Sequence, residues 1–226
     1  MPDTPEVPDI AGQKNRLKIT EIFYSLQGEA RNSGLPTVFI RLTGCPLRCV
    51  YCDTEYAFTG GEWLSLSAII DQVGQYGTRY VTVTGGEPLA QRNCIPLLEQ
   101  LCDLGYEVSL ETSGAISVAA VDDRVVKVID VKTPASGEES KNKVDNFSFL
   151  TEKDQLKFVI SDEDDYRWSK AFIAQHRLSN RCEILFSPVQ NQLDAKDLAG
   201  WILKDRLDVR FQIQLHKYLW GDRQGV

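Results

Sequence analysis

The stretch Thr37-Val-Phe-Ile-Arg-Leu-Thr43-Gly-Cys45-Pro-Leu-Arg-Cys49-Val-Tyr-Cys52-Asp-Thr54 runs from an apolar, β-prone segment straight into a loop carrying three cysteines. A loop leaving the C-terminal end of a strand in a parallel sheet or barrel is where reactive groups are gathered. Thiolates spaced C-x3-C-x2-C can close around one small metal–sulfur unit. A [4Fe–4S] cubane, usually completed by a fourth cysteine, keeps one iron open when only three sulfurs are supplied. An open position marks a site where another molecule must bind, as it does at catalytic zinc. A zinc knuckle, or a set of buried thiols, is the plainer reading of the same spacing and stays open on these residues alone.

Outward from this loop, short apolar runs bounded by turn residues predict strands at Leu17–Tyr24, Thr37–Thr43, Arg79–Thr84, Glu107–Glu111, Val125–Val131, Gln155–Ile160, Glu183–Phe186 and Val209–Gln214. Helical spacing falls between several of them, at Ser65–Tyr76, Ile95–Leu104, Asp164–Gln175 and Ala195–Lys204, with Ser65 and Asp194 as capping residues. Alternating apolar strands and helices predict an α/β fold with a parallel sheet. The connections Ser113–Asp123 and Thr133–Asp154 are too short or too polar for full helices, so an open, partial barrel is expected rather than a closed eight-unit one. Ala135–Asn146 reads as a polar loop able to act as a lid. Residues 1–16, with Pro2, Pro5 and Pro8 among polar groups, predict a flexible tail, and residues 17–226 a single domain.

The chain has 226 residues, 42% of them hydrophobic, enough for one domain with a substantial core. Its formal charge of −7 argues against nucleic-acid binding by bulk electrostatics. No apolar run is long enough to span a bilayer and no secretory signal is present, so a cytoplasmic protein with no membrane and no nucleic-acid partner is expected. Three of the six cysteines crowd into the loop, which speaks for a metal site over disulfides; Cys94, Cys102 and Cys182 read as packed thiols.

A second motif, Val81-Thr-Val-Thr84-Gly85-Gly86-Glu87-Pro88, ends an apolar strand in paired glycines, which permit close backbone approach to a ligand, and Glu87 or nearby carbonyls able to accept from an ammonium group. Together with Tyr51, the aromatic before the last cysteine, the two motifs resemble the radical S-adenosylmethionine (SAM) superfamily. That resemblance implies a partial, open (β/α)6-type barrel, a [4Fe–4S] cluster on Cys45, Cys49 and Cys52, and SAM chelated to the open iron and cleaved to a 5′-deoxyadenosyl radical. It implies SAM contacts from Gly85, Gly86 and Glu87, from Ser113 in Glu111-Thr-Ser113, from Asp130-Val131-Lys132, and from Ser187 and Gln190.

Four further features narrow the resemblance: Tyr24-Ser-Leu26-Gln27-Gly28-Glu29, Arg41, Asp53-Thr54 and Leu215-His216-Lys217-Tyr218. From about Leu17 to Gly221 the chain resembles the 7-carboxy-7-deazaguanine synthase family of queuosine biosynthesis. Its members contract 6-carboxy-5,6,7,8-tetrahydropterin to a deazapurine with loss of ammonia. The resemblance implies substrate contacts from Leu26, Gln27, Gly28, Arg41, Thr84, Glu111 and His216. It also implies Mg²⁺ on Thr54, with Asp53 acting through water, a shell suited to that ion. Arg41 offers a planar fork for the substrate carboxylate. No base is identifiable. A homodimer and a reducing donor such as flavodoxin are expected by the same analogy. The chain departs from some members by continuing past His216-Lys217 through Trp220–Val226. The competing readings are a glycyl-radical-enzyme activase, which leaves Gln27 and Arg41 without a task, and a non-catalytic zinc or Fe–S interaction module.

Overall fold

The structure, a computed structural model, describes residues 15–226. Residues 1–14 of the expected tail lie outside the described residues, whereas Arg16, placed in that tail, opens the first strand and pairs with Ser65. Among the described residues nine strands form one sheet: β1 (Arg16–Leu26), β2 (Pro36–Leu42), β3 (Glu62–Ser65), β4 (Tyr80–Gly85), β5 (Glu107–Thr112), β6 (Val126–Val131), β7 (Gln155–Ile160), β8 (Glu183–Pro188) and β9 (Arg210–Phe211). Their order is β3-β1-β2-β4-β5-β6-β7-β8-β9, so β3 and β9 are edges and the barrel is open. From β2 to β9 all neighbours are parallel, while β1 runs antiparallel to both β2 and β3.

Helices α1 (Leu66–Gly74), α2 (Cys94–Asp103), α3 (Glu163–His176), α4 (Ala195–Asp205) and α5 (Leu215–Trp220) join or follow these strands. The capping residues act as expected: Ser65 accepts from the Ala68 N–H and Asp194 from the Lys196 N–H. The outer face of the strands carries most of the apolar core. Val38, Ile40, Leu42, Val81, Val83, Leu110, Phe158 and Phe186 point outward to pack with Ile69, Leu97, Ile173 and Leu198 of the helices. The alternate residues face the barrel interior, which is where the site lies.

The connection from β5 to β6 carries no helix, and that from β6 to β7 only three short 3-10 segments, Pro134–Ser136, Glu139–Lys141 and Val144–Phe149. The segment Ala135–Asn146 is fastened down rather than free to act as a lid. The Asn142 side chain donates to Lys132 O at 2.7 Å and accepts from Lys132 N at 2.8 Å, and buried Asn146 donates to Gly114 O and Ile116 O, both at 2.9 Å. The expected strand Val209–Gln214 shrinks to the two residues of β9, and Gln214 becomes the residue preceding α5.

Lys127 on the outer face of β6 is fully buried and pairs at 3.4 Å with Asp154, which also accepts from Lys127 N and Thr151 N at 2.8 Å. Removing one partner of such a pair strands a buried charge. Asp154→Ala should therefore lower the urea-unfolding free energy by about 3–5 kcal/mol, and Lys127→Met, which deletes the charge, should cost clearly less.

Candidate active site

Period-two alternation puts Phe39 and Arg41 of β2, Thr84 of β4, Glu111 of β5, Val128 and Asp130 of β6, and Lys157 and Val159 of β7 on the wall of a cavity of about 670 Å³. The segment after β1 turns into this interior and ties the open barrel together. Gln27 Nε2 donates to Thr82 Oγ1 at 3.1 Å and to Glu111 Oε1 at 3.2 Å, and Thr84 Oγ1 donates to Glu111 Oε2 at 3.1 Å. Ala30 N donates to Gln212 and Arg31 N to Gln155, both at 2.9 Å, while Ala30 packs on Val128 and Leu185. Across the opening, α5 is seated by the bond from Leu215 N to Gly28 O at 2.9 Å.

The cysteine loop leaves β2 onto the same wall. Cys45, Cys49 and Cys52 all line the cavity, all are free thiols, and Leu47 N donates to Cys45 Sγ at 3.4 Å. Burial pushes the Cys49 thiol up to about 11. Among the described residues no group of three His, Cys, Asp or Glu side chains is disposed to hold a metal ion. The loop's fit to a cluster rests on three free thiols sharing one wall. A second observation fits a bound cofactor: Asp130 Oδ1, buried at that wall, has no hydrogen-bond partner among the described residues.

The paired glycines serve the chain itself. A Cβ on Gly86 would meet Gly44 O at 2.3 Å and Cys45 Cβ at 2.8 Å, and one on Gly85 would meet Leu42 O at 2.4 Å. The close approach that Gly85–Gly86 permits is used on one side by the root of the cysteine loop, while both glycines also line the cavity. Glu87, fully buried, is likewise turned away from the cavity. Its carboxylate accepts from Leu89 N at 3.0 Å, Thr112 Oγ1 at 2.8 Å, Ser113 N at 2.7 Å and Ser113 Oγ at 2.5 Å, leaving the expected ammonium contact without a free oxygen facing a ligand.

The model of the radical SAM superfamily matches residues 39–131. The 7-carboxy-7-deazaguanine synthase of Koribacter versatilis is 44% identical over 93% of this chain and 100% of its own length, and that of Chlorobaculum tepidum 45% identical over 93% and 97%. The chain belongs to the 7-carboxy-7-deazaguanine synthase family. The crystal structure of QueE from Escherichia coli shares the fold, with a TM-score of 0.74 at 23% identity over 93% of this chain and all of that one.

Of the residues that the family resemblance singled out, Leu26, Gln27, Arg41, Asp53, Thr54, Thr84, Gly85, Gly86, Glu111, Ser113, Asp130, Lys132, Gln190 and His216 line the cavity with the three cysteines. Gly28, Glu87, Val131 and Ser187 contribute no lining atom. Val131 points outward into the core, Ser187 is buried, and Gly28 lies beneath His216. Arg41 is held by Glu21 through Nε at 2.7 Å, and the Tyr56 hydroxyl donates to the same Glu21 oxygen at 2.8 Å. No hydrogen bond among the described residues ties its two terminal nitrogens.

A charged chain joins the predicted site residues Asp53, Asp130 and Lys132 to Glu29 and Lys217, which sequence reasoning gave no role, and to Gln214 and Lys157, which it left out of the site. Lys217 pairs with Asp53 at 3.1 Å, and Gln214 Nε2 bridges Asp53 at 3.1 Å and Glu29 at 2.7 Å. Glu29 pairs with Lys157 at 2.6 Å, and Asp130 lies 3.7 Å from Lys157 and 3.0 Å from Lys132. Burial works against the charges of both Glu29 and Lys157, yet each holds the other ionised, the carboxyl below and the ammonium well above its ordinary range. Burial pushes Glu111 up, with Glu29 adding to the shift, and lowers His216. Lysine at an inward position of the strand Gln155–Ile160 was the signal available for Lys157. Residues Gly221–Val226 also border the cavity.

A Cβ on Gly28 would lie 2.1 Å from His216 Nδ1, so Gly28→Ala must unseat His216 and with it α5. Trypsin cleavage after Lys217 should accelerate in this variant by roughly tenfold or more with the rest of the chain still protected. An unchanged cleavage rate would show that α5 does not depend on this contact.

Proposed function

We infer that the chain contracts the ring of 6-carboxy-5,6,7,8-tetrahydropterin to 7-carboxy-7-deazaguanine with loss of ammonia, in queuosine and 7-deazapurine biosynthesis. The observation that carries this reading is that Cys45, Cys49, Cys52, Thr54, Arg41 and Glu111 open onto a single cavity. The enzyme uses a [4Fe–4S] cluster, SAM and Mg²⁺, which together supply a 5′-deoxyadenosyl radical and a cation beside the substrate carboxylate.

The three thiols hold the cluster, with the Gly85–Gly86 turn, Ser113, Asp130, Lys132 and Gln190 around the SAM. The unpartnered Asp130 Oδ1 is available to a hydroxyl donor of the cofactor. Arg41, locked through Nε by Glu21 and with its guanidinium 5.8 Å from the Tyr56 ring centre, presents its terminal nitrogens to the pterin carboxylate as a planar fork. Gln27, Thr84 and Glu111 face the polar ring edge, where the Glu111 carboxyl, raised by its burial, is held by Gln27 Nε2 at 3.2 Å and Thr84 Oγ1 at 3.1 Å. His216, whose pKa is lowered by burial against the pull of Glu29 and Asp53, offers its imidazole nitrogens at the cavity wall. The Thr54 hydroxyl, which donates to Asp53 Oδ1 at 2.9 Å, would hold Mg²⁺, with Asp53 acting through water.

By analogy with the family, the protein works in the cytoplasm as a homodimer of single-domain subunits and takes electrons from a donor such as reduced flavodoxin. No helix among the described residues is long and apolar enough to cross a membrane.

Anaerobically reconstituted, reduced protein given SAM, Mg²⁺ and the pterin should yield 7-carboxy-7-deazaguanine by mass spectrometry, and Cys49→Ala should abolish it. Arg41→Met should keep radical cleavage of SAM but raise the pterin KM by roughly 10- to 150-fold, the loss of a charge-assisted hydrogen-bond pair. 5′-Deoxyadenosine without the deazapurine would leave the radical chemistry standing and the substrate wrong.

A further inference from the structure

Tyr51 stands between two cluster cysteines, its ring on the cavity wall, yet its hydroxyl is aimed into the protein. That hydroxyl lies 3.2 Å from Thr133 Oγ1 and 3.3 Å from Val159 O. Thr133, wholly buried just beyond β6, lies with its own hydroxyl 2.9 Å from Asp165 Oδ2 and 3.2 Å from Val159 O. Asp165, in the first turn of α3 and also buried, accepts through its other oxygen from Ala135 N at 3.0 Å and through Oδ2 from Ser161 N at 3.1 Å.

The protons along this chain can be assigned. An ionised carboxylate only accepts, so the single Thr133 proton goes to Asp165, the strongest acceptor within reach. The Thr133 oxygen is then left as an acceptor. The Tyr51 proton turns to it or to the Val159 carbonyl beside it, and either choice holds the ring in one place. A parallel strap runs next to this one: Val50 N donates to Ser136 O at 3.0 Å, and Ser136 Oγ to Thr133 O at 2.6 Å. The turn Thr133–Ser136 therefore grips two successive residues between Cys49 and Cys52, and Asp165 anchors that turn at both the Thr133 hydroxyl and the Ala135 N–H.

We propose that Thr133 and Asp165 are positioning residues for the radical chemistry, acting through Tyr51 to hold the Cys49–Cys52 half of the loop in the pose that receives SAM. This rests on the cluster and SAM reading of the site. Polar chains that end on a buried carboxylate work as units, so breaking the chain at either hydroxyl should cost about the same.

The test is the SAM affinity of the reduced, cluster-loaded protein, read from the change in its electron paramagnetic resonance spectrum on titration. Thr133→Val and Tyr51→Phe should each weaken SAM roughly five- to twentyfold at unchanged iron content, the double variant should be no worse than either alone, and Thr133→Ser should bind as the wild type does. The proposal is overturned if Thr133→Val lowers thermal stability but leaves the titration unaltered, or if the two losses multiply. A wild-type protein that takes up no iron would overturn instead the cluster reading, and the proposal with it.

Discussion

The site depends on a contact that contains no side chains. At the end of β4, Gly86 N donates to Leu42 O at 3.1 Å and Glu87 N to Gly44 O at 2.8 Å, bringing the glycine pair against the backbone from which the cysteine loop departs. Any side chain there would strike Gly44 O or Cys45 Cβ. Cys45 thus rests on Gly86. The Glu87 carboxylate, bonded to Thr112 and Ser113, carries the same constraint one strand further, so the C-terminal ends of β2, β4 and β5 are fixed relative to one another before any ligand arrives.

The remaining wall follows from strand parity. A parallel barrel that hid apolar residues on both faces would have no polar interior, but here the inner positions of β4 to β7 carry Thr82, Thr84, Glu111, Asp130 and Lys157, and the outer ones carry the core. Burying so many charges is tolerable because each has an opposite partner or a hydrogen bond: Lys157 with Glu29 and Asp130, Lys132 with Asp130, Lys217 with Asp53. The cavity is left polar and open, which suits the carboxylate-bearing substrate and charged cofactor proposed for it.

Much of this was legible in the sequence where the signal is local. The strands β2 and β4 to β8 and the helices α1 to α4 announce themselves by period and capping, and the cysteine spacing announces the site. What failed was non-local. The antiparallel pairing of β1 depends on β2 and β3, and β3 itself is only four residues long with little apolar pattern. The polar run Ala135–Asn146 reads as a loose loop because its composition is that of one, yet Asn142 and Asn146 spend their amides on buried backbone groups. That Gly86 also seats the cysteine loop and that the Glu87 carboxylate holds Thr112 and Ser113 could not be read either, because sequence shows that a residue is special without showing which neighbour makes it so. Lys157 escaped notice because one cation in an apolar strand has no motif around it.

The most direct measurement is iron and sulfide content after anaerobic reconstitution of Gly86→Ala beside Gly200→Ala, a helix position in α4 where an added Cβ meets nothing within 4 Å. If the glycine contact seats the cysteine loop, Gly200→Ala should carry about four irons per chain and Gly86→Ala, still folded by circular dichroism, well under one. A Gly86→Ala protein with a full cluster would contradict the dependence of the site on that contact.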